Sequence, residues 1–294
     1  MISRRRALQI FAAASLMPSN LRATQKRVAF GAEVSLTLDG PAHVTGPALD
    51  AVWAEIEAME KAFSLYDPTS ELRRLNSQGR LERPSAAMLE ILALSAKLYR
   101  ATDGRFDPTV QHLWQAHANG ENTQSARSSI GFDRVRFDET RVQLGAGQAL
   151  TLNGIAQGYS TDRVISVLRA HGLERSLVNI GEYRALSGPW RLGIEDPSFG
   201  RVGMISLTDR AVATSSPAAM RLATGAAHIL DPRGVSAVPS WSTVSVIAER
   251  AAVADGLSTA LCFATLNEVR GIAARFAAPV SIRLVDLTGN LRSL

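Results

Sequence analysis

The stretch Leu150-Thr151-Leu152-Asn153-Gly154-Ile155-Ala156-Gln157-Gly158-Tyr159-Ser160-Thr161-Asp162 decides how this chain is read. A short strand runs into Asn153-Gly154, where glycine frees the backbone to turn. Beyond the turn, Val164, Val167 and Leu168 recur at helical spacing, so a helix is expected from Gly154 to Gly172. A helix N-terminus beside glycine presents free N–H groups and a positive dipole end, a setting that suits phosphate.

Working outward, Val135-Arg136-Phe137 and Val142-Gln143-Leu144 read as strands across an Asp138-Glu139-Thr140 turn. After the helix, residues 176–180, 190–194, 202–207 and 243–247 read as strands. Residues 251–266 form an alanine-rich helix, and Ile282 to Asp286 closes the chain as a strand. Before the central stretch, Val34 to Leu38 alternates as a strand until Asp39-Gly40-Pro41 breaks it. A helix is expected over 48–63, with Val52, Ile56, Met59 and Phe63 on one face, and another over 85–102, with Gly104 as its cap. Residues 115–131 are polar and weakly patterned, so a surface loop is expected there. Helices and strands are interspersed without regular βαβ alternation, which predicts an α+β fold rather than a doubly wound sheet. No internal repeat or Pro/Ser-rich linker divides the chain, so residues 24–294 are expected to form a single large domain.

With 294 residues, 46% hydrophobic and 20% charged, the chain has ample apolar surface to fold, which excludes disorder. Collagen-like and coiled-coil readings fail for want of a triplet or heptad period. The single cysteine, Cys262, excludes an internal disulfide and a Cys-rich zinc site, and its apolar surroundings mark a buried structural thiol. The net charge of +5 is concentrated: residues 1–23 hold +4, and the rest carries +1 with no basic block, so no nucleic-acid partner is expected.

Residues 1–23 read as a signal peptide. Arg4-Arg5-Arg6 is the positive region, Leu8 to Met17 a short apolar core, and Leu21-Arg22-Ala23 a loose cleavage site. Ser3-Arg4-Arg5-Arg6-Ala7-Leu8 resembles the twin-arginine export signal, with Ala7 where Phe is usual; an amphipathic first helix is the alternative. The apolar core is too short to span a bilayer, and no later apolar run is long enough either, so no stable membrane anchor is expected. A periplasmic location is.

No P-loop, credible dinucleotide fingerprint, nucleophile elbow or H-E-x-x-H motif is present. His112 and His117 lie five apart, wrong for one helix face. Polar residues and backbone-freeing ones combine elsewhere: in Arg105 to Val110, in Asn153 to Tyr159, and in His228-Ile229-Leu230-Asp231-Pro232-Arg233-Gly234, which reads as a strand entering a turn. Asp255 and Thr259, four apart on the alanine-rich helix, put two hard oxygen donors on one side, the kind Mg²⁺ accepts; such a pair is also common by chance.

Taken in order, these segments resemble a family. Tyr66 with Glu71 to Asn76 looks like "S-x-Y…S-x-L-x-x-L-N", and Gly104 to Val110 like "G-x-F-D-P-T-V". Leu150 to Asp162 looks like "L-D-L-G-G-I-A-K-G-Y-x-x-D", and Leu177 to Gly181 like "L-V-N-x-G-G". Ala213-Thr214-Ser215 and His228 to Gly234 look like "A-T-S-G" and "H-I-I-D-P-x-T-G", and Ala254 to Leu261 like "A-D-A-L-A-T-A-L". The chain thus resembles the ApbE family, the FAD:protein FMN transferases, from about Phe30 to the C-terminus.

The resemblance implies an ApbE-like α+β domain of mixed sheets and packed helices. It would bind FAD as substrate with Mg²⁺, transfer the FMN half to a threonine hydroxyl of a partner flavoprotein, and release AMP. By family analogy the acceptor belongs to a membrane electron-transfer system. The metal ligands carry over to Ala156, Asp255 and Thr259. His228 matches a histidine that would activate the acceptor hydroxyl or position phosphate, with a structural role as the alternative. Tyr66 matches a residue packed near the flavin, and Arg105, Phe106 and Asp107 match a segment lining the FAD site, where Asp107 is otherwise a turn aspartate. Asn153, Gln157, Tyr159 and Ile229 complete the expected FAD contacts. Several positions depart from the pattern. Thr151 stands for Asp, Asn153 for the first Gly, Gln157 for Lys and Ser216 for Gly; Glu182 follows Gly181 where "G-G-D" is usual, and "M-G-T" is present only as Phe30-Gly31-Ala32. These departures keep two alternatives in view, an FAD diphosphatase using the same site and a non-catalytic FAD-binding maturation factor.

Overall fold

The computed structural model describes residues 22–294; the expected signal peptide, up to Leu21, lies outside the described residues. In chain order, strands β1 (Arg22–Ala29) and β2 (Ala32–Asp39) form a hairpin, followed by helices α1 (Ala42–Phe63) and α2 (Glu71–Gln78), strand β3 (Arg80–Glu82) and helix α3 (Ala86–Ala101). Helices α4 (Gln111–Asn119) and α5 (Gln124–Arg127) precede strands β4 (Arg136–Phe137) and β5 (Arg141–Gln143) and helix α6 (Ala156–Ala170). Strands β6 (Arg175–Asn179), β7 (Tyr183–Leu186), β8 (Trp190–Asp196), β9 (Gly200–Leu207), β10 (Ala211–Ser215) and β11 (Thr243–Ala248) follow. Helices α7 (Ala251–Leu261) and α8 (Leu266–Ala273) and strands β12 (Ser281–Val285) and β13 (Leu291–Ser293) end the chain.

The principal sheet runs β1-β2-β6-β7-β10-β11-β12-β13, with every neighbouring pair antiparallel. Its central strands are buried on both faces. Ala213, Val246 and Ala248 pack toward α7, while Val212 and Ile247 alternate to the side covered by the β8–β9 hairpin, with Trp190, Leu192 and Ile205. Nearer β2 and β6, the core lies between Val52 and Ile56 of α1, Val164, Ile165 and Leu168 of α6, and Leu36, Leu38 and Val178 of the sheet.

Helices α6 and α7 cross tightly, and two residues of the central stretch make this possible. A Cβ on Gly158 would lie 2.5 Å from the Ala251 carbonyl oxygen, so only glycine fits there. Arg250, the residue before α7, provides no side-chain cap. The Asp162 carboxylate of α6 caps it instead, accepting the Ala251 N–H at 2.8 Å and the Ala252 N–H at 3.2 Å. The same carboxylate is paired with the buried Arg184 of β7. One acid thus satisfies two orphan donors of a helix and compensates a buried guanidinium.

The α+β class holds, and most elements lie within a few residues of expectation. Several expectations need correction, among them the short strand expected before Asn153, where the chain is irregular. The polar segment 115–131 is mostly helical, because α4 needs only Leu113, Ala116 and the stem of Gln111 as its buried face, too few apolar residues to show a period. The helix expected over 251–266 stops at Leu261, and Thr265 then starts α8 with a capping box to Glu268. The first long helix begins at Ala42 rather than 48 and carries Pro47 within its early turns. Ile282 to Asp286 is not the last strand, since β13 pairs beyond it. Strand β1 begins at Arg22, inside the expected leader. Cys262 is buried, as expected, and its thiol donates to the Ser258 carbonyl at 3.2 Å. Among the described residues no helix is long and apolar enough to cross a membrane.

Replacing Asp162 with Ala should destabilise the protein by about 3–5 kcal/mol, because it strands Arg184 and uncaps α7 together. Urea denaturation would measure this, and a loss below about 1 kcal/mol would show that the crossing does not depend on this carboxylate.

Candidate active site

One cavity of about 1310 Å³ opens where the start of α6, the middle of α7, the end of β10, the β6–β7 turn, the Arg105–Val110 segment and the region around His228 converge. Every residue expected at the site lines it except Tyr159. Tyr159 is 1% exposed, its ring packs edge-on against Phe63, and its hydroxyl donates to Glu90 at 2.6 Å. Burial and the Glu90 carboxylate both raise its pKa. It is a core residue that does not line the cavity, unlike the other expected FAD contacts. The reason is helix geometry: residues two apart on α6 point to nearly opposite sides, so Gln157 meets the cavity and Tyr159 the core.

Asp255 is 3% exposed, and its Oδ2 accepts the Gly158 N–H at 3.0 Å. Burial pushes its pKa up to about 7, opposed by that hydrogen bond and reinforced by the nearby Asp162. One turn along α7, Thr259 also faces the cavity, and its hydroxyl lies 3.5 Å from that of Ser215 at the end of β10. Ser215 is also 2.8 Å from the Ser258 hydroxyl, which donates to the Asp255 carbonyl at 3.0 Å. The site wall is therefore an oxygen-rich surface made by α7 and β10. Asp255, Thr259 and the main chain at Ala156 are hard donors of the type a Mg²⁺ ion accepts, and among the described residues no cationic side chain is paired with the buried Asp255 carboxyl. Among the described residues, no three His, Cys, Asp or Glu side chains group to hold a metal, so substrate oxygens and water would have to complete such a shell.

His228 lines the same cavity. It lies in an irregular segment rather than the expected strand, held by its N–H to the Met220 carbonyl at 3.1 Å and by the Trp114 indole N–H to its own carbonyl at 3.0 Å. Its Nδ1 is 3.0 Å from the Pro217 carbonyl oxygen. A carbonyl only accepts, so Nδ1 carries the proton and Nε2 of the neutral ring keeps its lone pair. Burial lowers the His228 pKa and favours that neutral form. The turn beyond it wraps around Asp231, whose carboxylate accepts the N–H groups of Arg233, Val235 and Ser236, each at 3.1 Å.

The Arg105–Asp107 segment lines the cavity but spends its polar groups on structure. Arg105 donates to the Thr102 carbonyl at 3.2 Å and pairs with Glu268 of α8. Asp107 is extended before Pro108, as expected, and accepts the Thr109 N–H at 2.8 Å, the Thr109 hydroxyl at 2.6 Å and the Phe132 N–H at 3.2 Å. Burial raises its pKa. It is the turn aspartate of the alternative reading, placed at the cavity wall. Tyr66 is 66% exposed at the rim. Gln157 packs over Gly181, whose φ of +90° and lack of a side chain leave room for it. Glu182, noticed in the sequence only as a departure, is buried and faces the cavity, with its Oε2 accepting the Thr214 N–H at 3.2 Å.

The sequence matches the ApbE family over residues 30–282. The chain belongs to the ApbE family. It is 28% identical over 292 residues to a protein of Treponema pallidum (strain Nichols) named FAD:protein FMN transferase, covering 81% of this chain and 79% of the relative. A Rhodobacter capsulatus protein of the same name is 26% identical over 272 residues; this chain spans about half that relative's length, 50%, with 81% of itself matched. Among solved structures, the apo form of the Pseudomonas stutzeri flavinyl transferase ApbE superposes with a TM-score of 0.80 at 26% identity, covering 93% of this chain and 94% of that one. The Thermotoga maritima ApbE protein shares the fold with a TM-score of 0.81 at 24% identity, over 92% and 96% of the two chains. These ApbE structures share the mixed, single-domain architecture found here.

The Asp255 pKa carries a stability consequence. Between its ordinary 3.8 and about 7, the folded protein keeps a proton on Asp255 that the unfolded chain has lost. Stability in metal-free buffer should therefore fall as pH rises through that window. Asp255→Asn removes the titration, so its melting temperature should decline less over the same range. Equal slopes in the two proteins would contradict the assigned environment.

Proposed function

We propose that this chain is a Mg²⁺-dependent FAD:protein FMN transferase that moves the FMN half of FAD to a threonine hydroxyl of a partner flavoprotein and releases AMP. The transferase class follows from the ApbE kinship, and the relatives' name supports FAD as the donor. The single observation that carries the reading in this chain is the buried Asp255, facing a large cavity that Thr259 and a neutral His228 also line.

In the proposed reaction the P–O–P bond of FAD breaks and a P–O bond to the acceptor oxygen forms. The hydroxyl proton needs an acceptor, and Nε2 of His228 is a free lone pair in the cavity wall that can take it. The glycine turn before α6 and the α6 N-terminus border the same space, where Asn153, Gly154 and Gln157 can meet phosphate oxygens. Asp255, Thr259 and Ala156 would hold the divalent cation, which when bound offsets the charge that develops as AMP leaves. Phe106 and Ile229 provide apolar wall and Tyr66 a ring at the rim, surfaces on which the isoalloxazine can pack.

The location is proposed from Arg4-Arg5-Arg6 and the apolar run after it: export to the periplasm by the twin-arginine route. The acceptor would then be an exported flavoprotein, of a membrane electron-transfer system by analogy.

Intact mass spectrometry of an FMN-acceptor domain, incubated with the protein, FAD and Mg²⁺, tests the reading. A gain of one FMN phosphoester, abolished by EDTA, is expected, and Asp255→Ala should slow it more than about 100-fold, beyond the loss typical of outer-shell partners of a metal. AMP release without acceptor modification would favour the diphosphatase. FAD bound with neither product would favour a maturation factor.

A further inference from the structure

Glu182 occupies the turn between β6 and β7, and its carboxyl is 7% exposed while lining the cavity. The Thr214 N–H holds Oε2 at 3.2 Å. Among the described residues no other donor and no basic side chain reaches the carboxyl, so Oε1 is left to the cavity. Asp255 is arranged the same way, with Oδ2 held by the Gly158 N–H at 3.0 Å and Oδ1 left free of protein donors. The two acids face the same cavity across one short bridge: Thr214 of β10 holds Glu182, and the next residue, Ser215, reaches Ser258 and Thr259 on the helix that carries Asp255. The arginine nearest in sequence, Arg184, is committed to Asp162, and Gln157, which packs over the preceding Gly181, is neutral. Two buried carboxylates on one cavity, each pinned through one oxygen by a backbone amide, have no cation to balance them among the described side chains. Burying such charges is costly unless they are paired or coordinate a metal.

We propose that Glu182 is a ligand of the divalent cation in this cavity, giving the site two carboxylate oxygens beside the Thr259 hydroxyl. The inference rests on the metal-dependent reading above and extends it in one respect. Two carboxylates balance a divalent charge by themselves, so the cation binds before FAD and does not wait for phosphate oxygens to complete the charge balance. The Thr214 amide is what aims Glu182, so the end of β10 positions both this acid and, through Ser215, the Thr259 side chain.

The test is a Mn²⁺ titration of the full chain without FAD, followed by electron paramagnetic resonance, with melting temperatures as a fold control. Wild type should bind Mn²⁺, and Glu182→Gln should weaken binding by about tenfold or more, as Asp255→Asn should. Metal-free FAD binding, followed by flavin fluorescence, should be kept or tightened in Glu182→Gln, because a negative charge facing the pyrophosphate is gone. Should Glu182→Gln fold poorly, Glu182→Asp keeps the charge but draws it back by one methylene, and a severalfold weaker Mn²⁺ affinity is expected. A Mn²⁺ affinity within about twofold of wild type in these Glu182 variants would overturn the proposal. So would loss of FAD binding with Mn²⁺ affinity intact, which would make Glu182 a flavin contact. Mn²⁺ binding that depends on Glu182 in a protein without transfer activity would sink the transferase reading and leave this inference standing. Binding indifferent to Asp255→Asn as well would overturn both.

Discussion

The Asp162 carboxylate holds the molecule's working parts in register. It caps α7 from another helix, compensates Arg184 in the principal sheet, and sits one turn after the glycine that lets the two helices touch. A helix that relied on its own sequence for an N-cap would be free to slide or rotate, whereas α7 is tied by two backbone N–H groups to a fixed acid. That fixes which face of α7 looks into the cavity, and so places Asp255 and Thr259 there. The Gly158 N–H, brought close by the same crossing, then takes hold of Asp255 directly. Stability and chemistry meet in one contact between helices, because the groups that order α7 are the neighbours of the groups that would do the work.

The cavity wall that results has a consistent electrostatic logic. Oxygen donors gather on one side, at Asp255, Thr259, Ser215 and Glu182, with backbone amides rather than basic side chains holding the acids in place. The same cavity is lined by a neutral imidazole with its accepting nitrogen free. A wall of buried acids repels a phosphate unless a cation intervenes, and a nearby base is useful only to a nucleophile that must lose a proton. Both features suit transfer of a phosphoryl-linked group to a nucleophile that must lose a proton, and the relatives are named for moving FMN from FAD to protein.

Much of this was legible in the sequence, for identifiable reasons. Asp255 and Thr259 share a helix face because four residues make about one turn. Asn153-Gly154 marks a turn because that pair favours turns over the interior of a helix or strand, and the α+β class follows from irregular alternation of elements. The unreadable parts were those decided by tertiary contact. Helix α4 carries too few apolar residues for a periodic signal. Strand β1, at the sheet edge, is largely exposed and has no alternating apolar face. Tyr159 lies inside a motif of site residues, yet its direction around α6 delivers it to Phe63 and Glu90. Glu182 registered only as a departure from a pattern, since nothing local shows that the Thr214 amide, across the sheet, would take one of its oxygens.

The central claim is that the α6–α7 crossing builds a divalent-cation site against the wall where FAD's phosphates would lie. Anomalous diffraction from crystals grown with Mn²⁺ and FAD tests it most directly. The account predicts one strong manganese peak bonded to the Asp255 carboxylate and the Thr259 hydroxyl, with the pyrophosphate beside it. FAD seated in the cavity with manganese elsewhere, or held by neither residue, would contradict it.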